Sequence, residues 1–125
     1  MGSCAIQQAR AAGYEVATTA SSHNFEYCKR LGAQYVFDYR DDNVIQNVVE
    51  GLKGKQSAGI YCPIEADGVV GKCAQLADQL GGHKFVSIVY PPFLDIPDPF
   101  PDGVKIGQCK SHCHSNVLRL VLTWV

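Results

Sequence analysis

Helical and strand-forming segments alternate through residues 2–90, and that alternation constrains the fold more than any single residue does. Cys4, Ala5, Ala9 and Ala12 recur at helical spacing, and Gly13 follows where a left-handed residue ends a helix. Residues 14–20 form a β-prone run. Ser21-Ser22-His23-Asn24 is a polar loop that caps a helix over 25–31, stopped by Gly32. Residues 34–38 read as the next strand. Asp41-Asp42-Asn43 opens a helix to about Gly51, with Val44, Ile45, Val48, Val49 and Leu52 on one side. Residues 58–62 are again a strand. Asp67 and Gly68 lead into a helix over 69–80 that turns Val70, Cys73, Ala74, Ala77 and Leu80 inward, and Gly81-Gly82 stops it before a strand over 84–89. Strands separated by helices of about ten residues pair in parallel through right-handed crossovers. The expected class is therefore α/β, with a parallel sheet between two helical layers.

Composition narrows what such a domain can do. A chain of 125 residues is long enough for one domain with its own core. With 46% hydrophobic and 18% charged residues it is not a disordered segment. A net charge of −1 provides no basic field, so neither nucleic acid nor a membrane surface is an expected partner. No apolar run approaches the ~20 residues of a spanning helix. Residues 1–20 lack the charged start and apolar stretch of a signal peptide. Of six cysteines, Cys4, Cys28, Cys62 and Cys73 fall inside expected helices or strands, which points to reduced thiols and a cytoplasmic protein.

Beyond Tyr90 the pattern changes. Pro91, Pro92, Pro97, Pro99 and Pro101 exclude a helix and disfavour a central strand, so an extended surface segment is expected. Gln108 to Asn116 is polar and carries cysteine and histidine. Residues 117–125 (Val-Leu-Arg-Leu-Val-Leu-Thr-Trp-Val) suit a strand buried on both faces, with a short buried helix as the alternative. Three segments result: a domain over 1–90, an extended stretch over 91–116, and an apolar strand over 117–125 packed on or in the sheet.

Five pieces then stand in register: Gly2-Ser3-Cys4-Ala5-Ile6-Gln7, Ala20-Ser21-Ser22-His23-Asn24-Phe25, Leu31-Gly32-Ala33, Val36-Phe37-Asp38-Tyr39-Arg40 and Gly81-Gly82-His83-Lys84-Phe85-Val86-Ser87. Through them residues 2–90 resemble the cofactor domain of the medium-chain dehydrogenase/reductases, most closely the zinc-independent quinone reductases and fungal trans-acting enoyl reductases. The resemblance does not extend over 91–125. It implies a three-layer, Rossmann-like parallel sheet and NADP(H) as cofactor. Gly2 is what remains of the glycine turn at the pyrophosphate. Ser21, Asn24 and Tyr39 lie around the adenosine 2′-phosphate, with Arg40 nearby. The chemistry agrees. NAD selection uses a carboxylate where Thr18-Thr19-Ala20-Ser21 has none, and a 2′-phosphate needs donors or cations there. The plainer alternative is that Ser21 and Asn24 cap a helix and Tyr39 packs.

Measured against that family, the chain lacks the usual first strand, most of the glycine turn and the separate catalytic domain. The expectation is a truncated NADP(H)-binding domain with weak cofactor affinity, no catalytic residue of its own and little or no oxidoreductase turnover. A non-catalytic interaction or dimerisation protein, or a nicotinamide-independent isomerase or cyclase, are the alternatives. Cys62-Pro63-Ile64-Glu65-Ala66-Asp67 departs from the family: Pro63 removes a backbone donor and Glu65 adds charge near the expected nicotinamide. In this fold the first strand is central, and its loss leaves two unpaired strand edges. Residues 117–125 are expected to fill the gap, from the same chain or by strand exchange in a homodimer. If buried there, Arg119 needs a partner or an exit to water.

Other clusters carry less. Cys109-Lys110-Ser111-His112-Cys113-His114 holds four zinc-ligating side chains, but too close in sequence for all to converge on one ion, even with His83 nearby, so no zinc site is expected. Glu65 and Asp67 form a solvated loop more readily than an acid/base pair, and Cys62 with His83 is a weak candidate for a thiol nucleophile. Gly51-Leu52-Lys53-Gly54-Lys55 lacks the spacing of a phosphate-binding P-loop.

Overall fold

The computed structural model describes residues 2–63, 68–88, 101–108 and 120–124. In chain order these form α1 (Gly2–Ala11), β1 (Glu15–Ala20), a 3₁₀ turn (Ser22–Asn24), α2 (Phe25–Leu31), β2 (Tyr35–Asp38), α3 (Val44–Gly51), β3 (Gln56–Ser57), β4 (Gly59–Cys62), α4 (Val69–Gln79), β5 (Gly81–Gly82), β6 (Phe85–Ile88), β7 (Lys105–Gln108) and β8 (Leu120–Trp124). Gly13 (φ 91°) and Gly32 (φ 114°) both adopt the left-handed conformation that ends the preceding helix.

Six strands form one wholly parallel sheet in the order β2-β1-β8-β4-β6-β7. Strand β8 is last in sequence but lies inside the sheet. Leu122 is in register with Ala17 of β1 on one side and with Ile60 of β4 on the other. The usual dinucleotide-binding order is 3-2-1-4-5-6. Here β8 stands where strand 1 stands in that order, so the alternation of helices and strands in sequence is preserved while one central position is filled from the other end of the chain.

The core has two halves, one on each face. Ile6 and Ala9 of α1 and Cys28 of α2 pack against Val16 and Ala20 of β1. On the opposite face Val44 and Val48 of α3 and Val69, Val70, Cys73, Leu76 and Ala77 of α4 pack against Ala17, Ile60, Cys62, Val86 and Ile88. Successive residues of β1 therefore point into different layers, and residues 16–20 are all buried, as a strand covered on both faces requires.

Two features depart from the sequence reading. The segment expected to run extended over the surface contains an edge strand, β7, whose Lys105–Gln108 pairs with Phe85–Ile88. Its signal, Val104 and Ile106 packing on the α3/α4 core, is interrupted by Gly103 and Gly107. Gly107 leaves room for the Phe85 ring, whose tip would lie 2.4 Å from a Cβ there. In addition, β3 and β5 form a separate two-stranded parallel sheet too short to show any period. Gly82 (φ 103°) closes it, since a Cβ there would meet the Ser57 carbonyl oxygen at 2.4 Å.

The amino edge of the main sheet is tied by contacts between distant segments. Lys55 pairs with Glu15 at the start of β1 and lies 5.7 Å from the centroid of Tyr35, the first residue of β2. Hydrogen bonds to Glu15 and then to Tyr35 push the Lys55 ammonium above its ordinary range. The Gln34 side chain accepts the Val16 amide at 3.0 Å, and Val16 O accepts the Gln34 amide at 2.9 Å.

Candidate functional site

At the carboxyl edge, Ala20 of β1 is in register with Asp38 of β2. Ser21 and Tyr39 therefore leave the sheet side by side, and the loops that follow them share one edge. This is the side on which parallel α/β sheets bind ligands.

Ser21 is 5% exposed, and its hydroxyl oxygen accepts a hydrogen bond from Asn24 Nδ2 at 3.1 Å. The Asn24 amide donates to Ser21 O at 2.8 Å, closing the 3₁₀ turn. His23 is exposed, with its Nε2 3.3 Å from Ser21 Oγ. Across the edge, Tyr39 is half-buried against the α3/α4 core, and the Arg40 guanidinium lies 5.6 Å from its ring centroid. Arg40 is itself exposed.

Two nearby carboxylates are engaged in local hydrogen bonds. Asp38 Oδ1 accepts the Arg40 amide at 2.9 Å. Asp41 accepts the Asn43 amide at 2.9 Å and Asn47 Nδ2 at 2.9 Å, where it organises the start of α3. The edge thus presents a guanidinium, an imidazole, a carboxamide and a hydroxyl, with Asp38 and Asp41 engaged locally. One residue before Ala20, Thr19 is fully buried, and its hydroxyl has no hydrogen-bond partner. An unsatisfied buried hydroxyl costs about 1–3 kcal/mol. Thr19 has the same parity as Ala17 and so belongs to the α3/α4 side, where Tyr39 packs. The sequence carried no signal for the Thr19 orphan or the His23 contact, since the first depends on strand register and the second on a rotamer.

Gly2 is buried at the first turn of the ten-residue helix α1. Ser21, Asn24, Tyr39 and Arg40 share the edge formed by β1 and β2.

The thiols are buried or isolated. Cys4 is exposed, whereas Cys28, Cys62 and Cys73 are buried. The Cys73 thiol is held well above the ordinary thiol range, first by its hydrogen bond with Cys62 and then by burial, while burial alone raises Cys28. Cys62 ends β4, whereas His83 precedes β6 and donates its amide to Ser57 O at 2.8 Å. In parallel strands these positions lie at opposite edges, so the two do not form a nucleophile and base. Among the described residues no three His, Cys, Asp or Glu side chains gather to hold a metal ion, so the described residues do not fit zinc. Glu65 and Asp67, and the run from Cys109 to His114, lie outside the described residues. Among those residues no helix is long and apolar enough to cross a membrane.

Known proteins resemble this chain in both sequence and fold. The family model for zinc-binding dehydrogenases matches residues 1–88. The dehydrogenase pigH of Monascus ruber is 47% identical over 92 residues, covering 73% of this chain and 24% of pigH. The dehydrogenase azaJ of Aspergillus niger is 39% identical over 115 residues, covering 88% of this chain and 31% of azaJ. The trans-enoyl reductase tazE of Aspergillus terreus is 32% identical over 108 residues, covering 85% of this chain and 35% of tazE. The chain therefore spans about a quarter to a third of the length of these curated relatives. A match over 88% of the chain also carries the similarity past residue 90, where the sequence reading ended it. In fold, the chain is similar to a quinone oxidoreductase of Pseudomonas syringae pv. Tomato DC3000, with a TM-score of 0.56 and 20% identity over 99% of this chain and 34% of that one.

Proposed function

The chain belongs to the zinc-binding dehydrogenase family, and from that premise we propose that it binds NADP(H) at the carboxyl edge of its sheet. The observation that carries this reading is the register of Ala20 with Asp38. That register brings the Ser21–Asn24 turn beside Tyr39 and Arg40 and leaves no carboxylate at the end of β1, where NAD-selective sites keep one. A 2′-phosphate suits this donor set: Arg40 supplies charge, Asn24 and Ser21 supply hydrogen bonds, and Asp38 and Asp41 are engaged elsewhere. Gly2 at the first turn of α1 suits a pyrophosphate, because amides at a helix N-terminus point outward and no side chain intervenes.

A bound nicotinamide supplies a hydride for reduction of a polarised double bond. The residues of this chain bind and orient the adenosine half. Relatives about two and a half to three times as long have further sequence with which to hold a substrate, so the 125 residues alone bind cofactor with little turnover. Titration of the purified chain with NADPH, NADP+ and NADH tests the reading. Tighter binding of the 2′-phosphorylated forms is expected. No binding of any of them, or equal binding of NADPH and NADH, overturns it. In parallel, NADPH consumption with quinones or enones is expected to stay at background, and a clear rate abolished by Tyr39→Ala would overturn the proposed lack of turnover.

A further inference from the structure

We propose that His23 sets the preference for the 2′-phosphate and makes it pH-dependent, a role that rests on the NADP(H) reading above. A serine hydroxyl has one proton and two lone pairs. At Ser21 one lone pair is taken by Asn24 Nδ2 at 3.1 Å, and His23 Nε2 stands 3.3 Å away. When the neutral ring carries its proton on Nδ1, Ser21 donates its only proton to Nε2 and has none for a ligand. When the ring is protonated, Nε2 donates to the remaining lone pair, and the Ser21 proton is released toward an incoming acceptor. Protonation therefore adds a positive charge on an exposed ring and, starting from the Nδ1–H tautomer, also frees a donor on the neighbouring side chain. Both changes favour a phosphate more than a ribose hydroxyl, because bonds to an ionised acceptor are the stronger ones.

The surroundings leave this switch to His23. On α2, which packs on the 3₁₀ turn, Glu26 and Lys29 pair with each other at 3.4 Å, and Arg30 is exposed. At the end of β2, Asp38 accepts the Arg40 amide, and Arg40 lies over Tyr39. In β1 the charged residue is Glu15, at the opposite edge and paired with Lys55. On α1, Arg10 lies against Gly32. The arginines and lysines keep their charge through the neutral range, and imidazole is the group that changes there.

The test is the ratio of NADH to NADPH dissociation constants at pH 8 and pH 6.5, on the full chain and on His23→Gln and His23→Lys. The second ionisation of the 2′-phosphate, near pH 6, acts in the opposite direction, so each value is read relative to His23→Gln. On lowering the pH, the wild-type preference for NADPH is expected to rise about fivefold relative to His23→Gln, the size of a partly exposed charge-assisted bond. His23→Lys should hold the high preference at both pH values. NADPH should also raise the pH at which the His23 ring titrates by NMR, and NADH should not. A preference for NADPH that follows the same pH course in wild type and His23→Gln overturns this role and leaves the NADP(H) reading standing. Failure of the wild-type chain to bind NADPH at either pH overturns both.

Discussion

The two edges of the main sheet are held by different kinds of contact. At the amino edge the contacts span long stretches of sequence: Glu15 with Lys55, Lys55 over Tyr35, Gln34 on Val16, and β3 with β5. At the carboxyl edge they are mostly local: Asn24 and His23 with Ser21, Arg40 with Asp38, and Asp41 with Asn43 and Asn47, with Tyr27 donating to Ser3 at 3.4 Å as the exception. Long contacts tie distant segments and stabilise the fold. Local ones shape loops and leave side chains such as Arg40 and His23 facing water. The contrast teaches that most long-range side-chain contacts lie at one edge, while the loops of the other, where the cofactor is proposed to bind, are shaped mainly by local bonds, a division common in parallel α/β sheets.

Substitutions at the two edges and in the strand between them can break that contrast. The largest effect is expected in the sheet centre. Leu122→Pro removes an amide from a strand paired on both sides, and should cost at least about 3 kcal/mol and leave the chain unfolded by circular dichroism. A variant melting like wild type would show that β8 does not occupy the slot between β1 and β4. Next, Gly82→Ala drives a Cβ into the Ser57 carbonyl from a left-handed backbone, and should cost about 2 kcal/mol in urea unfolding without altering cofactor preference. A change in preference would mean that the edges are coupled. The smallest effect is at Lys55. Its pKa is raised in the folded protein, so the stability it contributes is fully present below its ordinary value of 10.5 and is lost as pH rises through the raised one. The melting-temperature difference between wild type and Lys55→Met should therefore stay constant from pH 7 to about 10 and shrink above that. A difference that shrank below pH 9 would remove the Glu15–Lys55 contact from the account.

Much of the fold was legible because its signals are local. The helix over 25–31 is bracketed by Asn24 and Gly32, and the spacing of Val44, Val48, Cys73 and Ala77 fixes the buried sides of α3 and α4. The apolar run over 117–125 reads as a strand covered on both faces, and Leu120–Trp124 is a strand paired on both sides. What was not legible depends on register. Val104 and Ile106 are too few and too close to glycine and proline to announce β7, and two-residue strands such as β3 and β5 have no period at all. The candidate site behaves the same way. Ser21, Asn24, Tyr39 and Arg40 were nominated by resemblance, and their adjacency follows from the pairing of Ala20 with Asp38, which no spacing in either segment encodes.

The most direct test of the division between edges compares Arg40→Ala with Lys55→Ala in one experiment, measuring NADPH and NADH dissociation constants and the melting temperature of each. Arg40→Ala is expected to weaken NADPH about five- to tenfold, as loss of a charge-assisted phosphate contact does, while sparing NADH and the melting temperature. Lys55→Ala is expected to lower the melting temperature and keep the preference for NADPH. Equal weakening of both cofactors by Arg40→Ala, or an unchanged NADPH affinity, would contradict the assignment of the carboxyl edge as a 2′-phosphate site.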